Sequence, residues 1–135
     1  MDILLSIKPI YANKIYKGNK KFEYRKKIPK QGIGRVYLYE STPVKKITGY
    51  FTFEMVINDS PDELWNKTKI FAGIEDEEYV KYFSGYTIAY AFKIDHVHKF
   101  PNSVDPCDIW EKFNAPQSYK YIDRSVIDAK LCCMV

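Results

Sequence analysis

The chain has 135 residues, 46% of them apolar and 28% charged, with a formal net charge of +4. That length and balance describe one domain that can bury its own core without disulfides or a structural metal. No run approaches the roughly 20 apolar residues of a membrane helix, and the acidic Asp2 with no basic leader segment argues against a secretory signal. Three cysteines (Cys107 and the adjacent Cys132 and Cys133) lack any CxxC spacing and read as reduced thiols of a cytoplasmic protein. The charge is unevenly spread. Residues 1–50 hold 12 Lys/Arg against 3 Asp/Glu, and the rest of the chain holds 9 against 14. One basic surface is therefore expected, of the kind that attracts polyanions and nucleic acid first among them. The competing reading is a lysine-coated solvated face.

Residues 3–7 form a short apolar run suited to a buried strand. Pro9 fits a first helical turn, Ile10, Ala12, Ile15 and Tyr16 follow at helical spacing, and Gly18 suits the position after a helix end. The spacing predicts a helix over 9–17. Residues 20–27 then alternate, with Phe22 and Tyr24 on a buried face and Lys21, Glu23, Arg25 and Lys27 on an exposed one. Residues 29–34 read as a loop, 35–40 as a strand, and 46–57 as a long strand with a bend or bulge at Gly49. Ser60, Pro61 and Glu63 make a strong helix start, so a helix is expected to about residue 70. A second helix, acidic at its N-terminal end, is expected over 75–83, and a strand over 87–97. Residues 101–106 read as a break, 108–113 as a turn or two of helix and 118–122 as a last short strand. Residues 124–135 carry no clear signal. The sum is an α+β, mainly β fold: a small mixed β-barrel with short peripheral helices.

The segment Gly18-Asn19-Lys20-Lys21-Phe22-Glu23-Tyr24-Arg25 carries the most chemistry. A glycine turn presents Lys20, and the i, i+2 spacing makes Glu23 and Arg25 neighbours on one strand face. Arginine can fork onto phosphate or a base edge. Glutamate can orient that arginine, accept from an exocyclic amine or move a proton. Lys20 can bind phosphate, or act as a base if burial lowers its pKa. The competing reading is an exposed charged row that stabilises a sheet through cross-strand pairs.

Ser6-Ile7-Lys8-Pro9, then Tyr11-Ala12 and Ile15, then Gly18-x-Lys20-x-x-Glu23-x-Arg25, resembles the opening signature of the ASCH domain of the PUA-like superfamily. Val36-Tyr37-Leu38-Tyr39, Ala89-Tyr90-Ala91-Phe92 and Pro116-Gln117-Ser118-Tyr119 resemble later pieces of prokaryotic stand-alone members. The resemblance covers roughly residues 3–122, so an ASCH/PUA-like domain is expected over 1–123 and a C-terminal tail over 124–135. It implies a barrel whose cleft, framed by the N-terminal helix and the GxKxxExR strand, binds RNA or modified bases. Related small bacterial proteins are acetylcytidine amidohydrolases thought to use a lysine on the glycine turn, a nearby threonine and a glutamate. Lys20 matches that lysine, but Glu23 stands where the threonine is expected, which weakens this reading. Glu54 or Glu75 could supply an acid there, and nothing in the sequence selects either.

The resulting expectation is an RNA- or nucleic-acid-binding protein. Lys8, Lys20, Arg25 and Lys26 meet the backbone or base, and Glu23 orients or discriminates. The first alternative is an enzyme in the same cleft, either a metal-independent ribonuclease or a hydrolase of modified nucleosides. Its candidate catalytic groups are Lys20, Glu23, Tyr11 and Ser118, a serine that reads otherwise as a turn residue. The second alternative is a protein-interaction module working through the acidic helix. No cofactor and no metal are called for. His96 and His98 lie two apart without an evident third ligand. Trp65 and Trp110 are read as packing before base stacking.

Overall fold

The computed structural model describes residues 1–30 and 32–133, with side chains as far as Leu131. The thiols of Cys132 and Cys133 therefore lie outside the described residues, whereas Cys107 is a free, exposed thiol. In chain order the elements are β1 (Asp2–Ile7), α1 (Pro9–Tyr16), β2 (Phe22–Arg25), β3 (Val36–Glu40) and β4 (Lys46–Asp59). Then come α2 (Pro61–Thr68) with a 3₁₀ turn (Lys69–Phe71), α3 (Asp76–Phe83), β5 (Ala89–Val104), a 3₁₀ turn (Pro106–Asp108), β6 (Tyr119–Ile122) and α4 (Arg124–Cys133).

The six strands form one mixed sheet in the order β2-β5-β4-β3-β1-β6. β1 and β3 run parallel, and every other pairing is antiparallel. The sheet curls into a half-barrel whose two end strands, β2 and β6, do not pair with each other. β1 and β3 are covered on both sides, which is why they read as unbroken apolar runs rather than as alternating ones. Ile3, Leu5, Ile7, Val36 and Leu38 pack with Ala12 and Ile15 of α1. Leu4, Tyr37 and Tyr39 point the other way and pack with Phe100 and with Ile127 of α4.

α1 is seated by one close approach. A Cβ on Gly49 would meet the carbonyl of His98 and lie 2.8 Å from the Tyr16 hydroxyl. The bare glycine lets that hydroxyl reach Thr48 Oγ1 at 2.6 Å. The bulge expected at Gly49 is present in the pairing with both neighbouring strands. α2 starts as expected, with Ser60 Oγ accepting from the Glu63 N–H at 3.3 Å and Pro61 in the first turn. α2 and α3 fold back over β2 and β5, burying Leu64, Tyr79 and Phe83 against Tyr24, Ala89 and Ala91. Trp65 packs there, its ring 4.5 Å from that of Tyr79, and Trp110 stacks on Phe113 at 5.5 Å.

Three segments differ from expectation. Residues 108–113, expected as a turn or two of helix, hold only the end of the 3₁₀ turn Pro106–Asp108 and then irregular chain. β5 continues through Pro101 to Val104, beyond the expected end at residue 97. Proline is tolerated because it falls in a bulge between the Lys99 and Val104 pairings, and β5 has a partner strand on one side only there. Arg124–Cys133, where the sequence carries no clear signal, is a helix that inserts Ile127 into the core. Its first turn is tied to β1 by Arg124 Nε donating to buried Asp2 at 2.8 Å.

Candidate functional site

The turn after α1 aims the chain into the interior. Gly18 takes φ +83, a conformation costly for any residue with a Cβ. The N–H groups of Asn19 and Lys20 both return to the Lys14 carbonyl, at 2.9 and 3.1 Å. Lys20 then runs beneath the connection between α2 and α3. Gly73, at φ +66, lies so close that a Cβ there would collide with the Lys20 stem. Lys20 Nζ donates to the Ala72 carbonyl at 2.6 Å. It also sits 4.9 Å from the Tyr24 ring centroid, 5.5 Å from that of Tyr11 and 3.7 Å from Glu23 Oε1.

The charged face of β2 is buried, contrary to the expectation that it is exposed. Glu23 is 6% exposed, Arg25 8% and Lys20 2%. Two parts of the chain enclose it, the end of β1 with α1 (Ser6, Lys8 and Tyr11) and the α2–α3 excursion (Ile74, Glu78 and Tyr82) from about fifty residues further along; Lys21 and Lys27 remain exposed. Arg25 donates to Glu23 Oε2 from Nε at 3.1 Å and from Nη2 at 2.7 Å, and Nη2 also reaches the Ser6 carbonyl at 2.8 Å. Among the described residues Nη1 has no partner, yet no fully buried side-chain polar atom lacks one. Nη1 is therefore not fully enclosed, and its two N–H groups are left without a partner inside the described protein. Burial is the largest influence on Lys20 and lowers its pKa to about 8, against the opposing pull of Glu23. Burial raises the Tyr11 phenol, helped by Glu78, Glu23 and Glu75, so it stays a proton donor.

These groups line one cleft of about 200 Å³, with Ser6, Lys8, Tyr24 and Tyr82 among its walls. The structure brings together Lys8, Tyr11, Lys20, Glu23 and Arg25. Lys26 stands at the rim, its Nζ 4.6 Å from the Tyr82 ring centroid. Ser118 is near but behind the wall. Its carbonyl accepts from the Ser6 N–H at 3.0 Å, and it is not among the residues lining the cleft. Ser6 is the hydroxyl in the wall itself, and it donates to the Pro116 carbonyl at 2.6 Å. The sequence contained Ser6 inside the Ser6-Ile7-Lys8-Pro9 signature; Glu78 and Tyr82 had no local signal. Thr48 and Thr68 are spent on Tyr16 and Tyr24 and do not line the cleft. Glu54 pairs with Lys93 at 3.3 Å on the exposed sheet face, and Glu75 stands at the start of α3.

The cleft is less basic than the first fifty residues suggest. Its lining cations, Lys8, Lys20 and Arg25, face two carboxylates, Glu23 and Glu78. What it offers is a small recess with tyrosine walls, a carboxylate already paired to Arg25 and one guanidinium nitrogen, Nη1, left without a partner.

The chain resembles known proteins over nearly its whole length. A ribonuclease of Zymomonas mobilis subsp. mobilis, named as an ASCH domain-containing ribonuclease, is 29% identical over 126 residues, covering 91% of this chain and 85% of that protein. Crystal structures of the ASCH protein from Zymomonas mobilis superpose with a TM-score of 0.88 at 24% identity, covering 97% of this chain and 94% of that one. A serine-to-alanine variant of the same protein gives 0.89 at 23% identity, covering 98% and 95%. A large ribosomal subunit protein of Ureaplasma parvum is 26% identical over 121 residues, which is 89% of this chain but 39% of that protein. The ASCH domain model matches residues 5–98, a segment that contains every residue lining the cleft. The chain belongs to the ASCH domain family.

Proposed function

We propose that this protein binds RNA, seating one nucleotide of a strand in the Lys20–Glu23–Arg25 cleft. The observation that carries this reading is the buried Arg25–Glu23 pair, which keeps Nη1 as an open donor beside a fixed carboxylate. Arg25 meets a phosphate or base carbonyl, and Glu23 accepts from an exocyclic amine. Tyr11 and Tyr82 flank the base, and Lys8 at the open end of the cleft meets the backbone. Family membership and the ribonuclease among the relatives support the choice of RNA over other polyanions.

Strand cleavage in the same cleft is a second reading, favoured by Lys20. A pKa of about 8 makes its amine a workable base near neutral pH. Neutral Lys20 would take the proton of a ribose 2′-hydroxyl as that oxygen bonds to phosphorus. The bond to the 5′-oxygen then breaks, and the Tyr11 phenol protonates the leaving oxygen. The products are a 2′,3′-cyclic phosphate and a 5′-hydroxyl. Lys8 and Arg25 offset the charge that builds on phosphate.

Titration of a labelled single-stranded RNA tests both readings. Wild type should bind at low salt and release as salt rises. Arg25→Lys, which keeps the charge but loses both the two-point hold on Glu23 and the free Nη1, should weaken binding roughly tenfold. Cleavage, where present, should end in cyclic phosphates and vanish in Lys20→Met. Absence of any RNA complex, or equal affinity in wild type and Arg25→Lys, would contradict the binding reading.

A further inference from the structure

The unpaired ends of the half-barrel leave a second, larger groove of about 770 Å³. One side is the segment after β2, with Lys26, Lys27 and Lys30, beside Tyr90 at the start of β5. The other side is edge strand β6, with Tyr119 and Tyr121. Those two tyrosines are two residues apart and share a face, their rings 6.0 Å apart and edge to face. Lys27, Lys30 and Tyr121 are exposed. Among the described residues no carboxylate lines this groove, and none of its three lysines forms an ion pair.

We propose that this groove is a second RNA subsite, holding the single-stranded nucleotides that continue from the cleft. The proposal rests on the RNA-binding reading of that cleft. Three unneutralised lysines suit phosphates, and the exposed Tyr121 ring beside half-buried Tyr119 suits unpaired bases, whose faces are free to stack. A duplex keeps its bases stacked inside and offers none to a side wall. The two sites adjoin: Arg25 lines the cleft, the next residue Lys26 lines the groove, and Lys26 Nζ lies over the cleft-lining Tyr82. On the other side Ser6 of the cleft wall bonds to Ser118, and the next residue, Tyr119, enters the groove. Tyr119 and Tyr121 lie beyond the segment matched by the family model, so this subsite is built partly outside it.

Anisotropy titrations with a single-stranded RNA of about ten nucleotides, beside competition by a mononucleotide, test the assignment. Tyr121→Ala should weaken the oligomer at least about fivefold through lost stacking. Lys27→Gln combined with Lys30→Gln, both exposed and outside the core, should lower the slope of log affinity against log salt by about 1.4. Mononucleotide competition should change in neither variant. If both leave oligomer affinity and salt slope unchanged while Arg25→Lys weakens binding, the groove assignment is wrong and the cleft reading stands. Equal competition by duplex RNA would also overturn it. If wild type binds no RNA, the cleft reading fails, and the groove assignment with it.

Discussion

The cleft and the groove are neighbours that use charge in opposite ways. In the cleft Lys20, Glu23 and Arg25 are buried and hold one another, so the net charge is small and the geometry is fixed. In the groove three lysines stand without carboxylates, so their charge is not offset; Lys27 and Lys30 are exposed, and Lys26 rests over the Tyr82 ring. Buried paired charges give position and selectivity, whereas exposed unpaired ones give attraction that salt can screen. A basic surplus read from sequence is therefore a statement about affinity, and it does not mark where recognition takes place.

That division is easiest to break in the cleft. Arg25→Ala leaves Glu23 buried without its main partner and should cost about 3–5 kcal/mol in urea unfolding. A loss under about 1 kcal/mol would mean the pair is solvated in solution.

The next effect is a pH dependence. Because the folded pKa of Lys20 is below its usual value, the unfolded chain binds a proton that the folded chain lacks between about pH 8 and 10.5. Stability should therefore rise with pH above 8, by on the order of 3 kcal/mol if the window were complete. Tyr16, Tyr24 and Tyr79 are raised by burial, so ionisation of these tyrosines in the unfolded chain reverses the trend above about pH 10. Lys20→Met should remove the rise between pH 8 and 10 in thermal melts, and its persistence would assign the slope to another group.

Gly73→Ala should cost about 1–3 kcal/mol, since it combines a positive φ with a collision on the Lys20 stem. It should also weaken RNA binding, because Lys20 must move. The smallest expected effect lies in the groove. Lys27→Gln and Lys30→Gln should each change stability by less than about 0.5 kcal/mol while altering the salt dependence of RNA binding. A groove lysine whose loss unfolds the protein would end the contrast between the two regions.

Much of this was legible locally. The helix over Pro9–Tyr16, the Gly18 turn and the pairing of Glu23 with Arg25 follow from spacing and residue type. Spacing says that two side chains share a face; it does not say what covers that face. Part of the cover, Ser6 to Tyr11, is near in sequence, but the rest comes from Ala72 to Tyr82, and nothing near Glu23 announces it. Pro101 read as a breaker because its open edge and bulge belong to sheet topology. α4 carries one local signal, Asp123, whose carboxylate accepts from the Ser125 N–H at 3.0 Å at the helix start. The groove was out of reach, since it joins residues 26–30 to Tyr90 and to Tyr119 and Tyr121 through the geometry of an unclosed sheet.

The most direct test is ultraviolet crosslinking of a single-stranded RNA to the wild-type protein, with the adducts located by mass spectrometry. RNA held as described should mark Tyr11 or Tyr82 in the cleft and Tyr119 or Tyr121 in the groove. Adducts confined to the exposed His96–Lys99 stretch of β5, or to the outer face of α2 around Asn66, would contradict it.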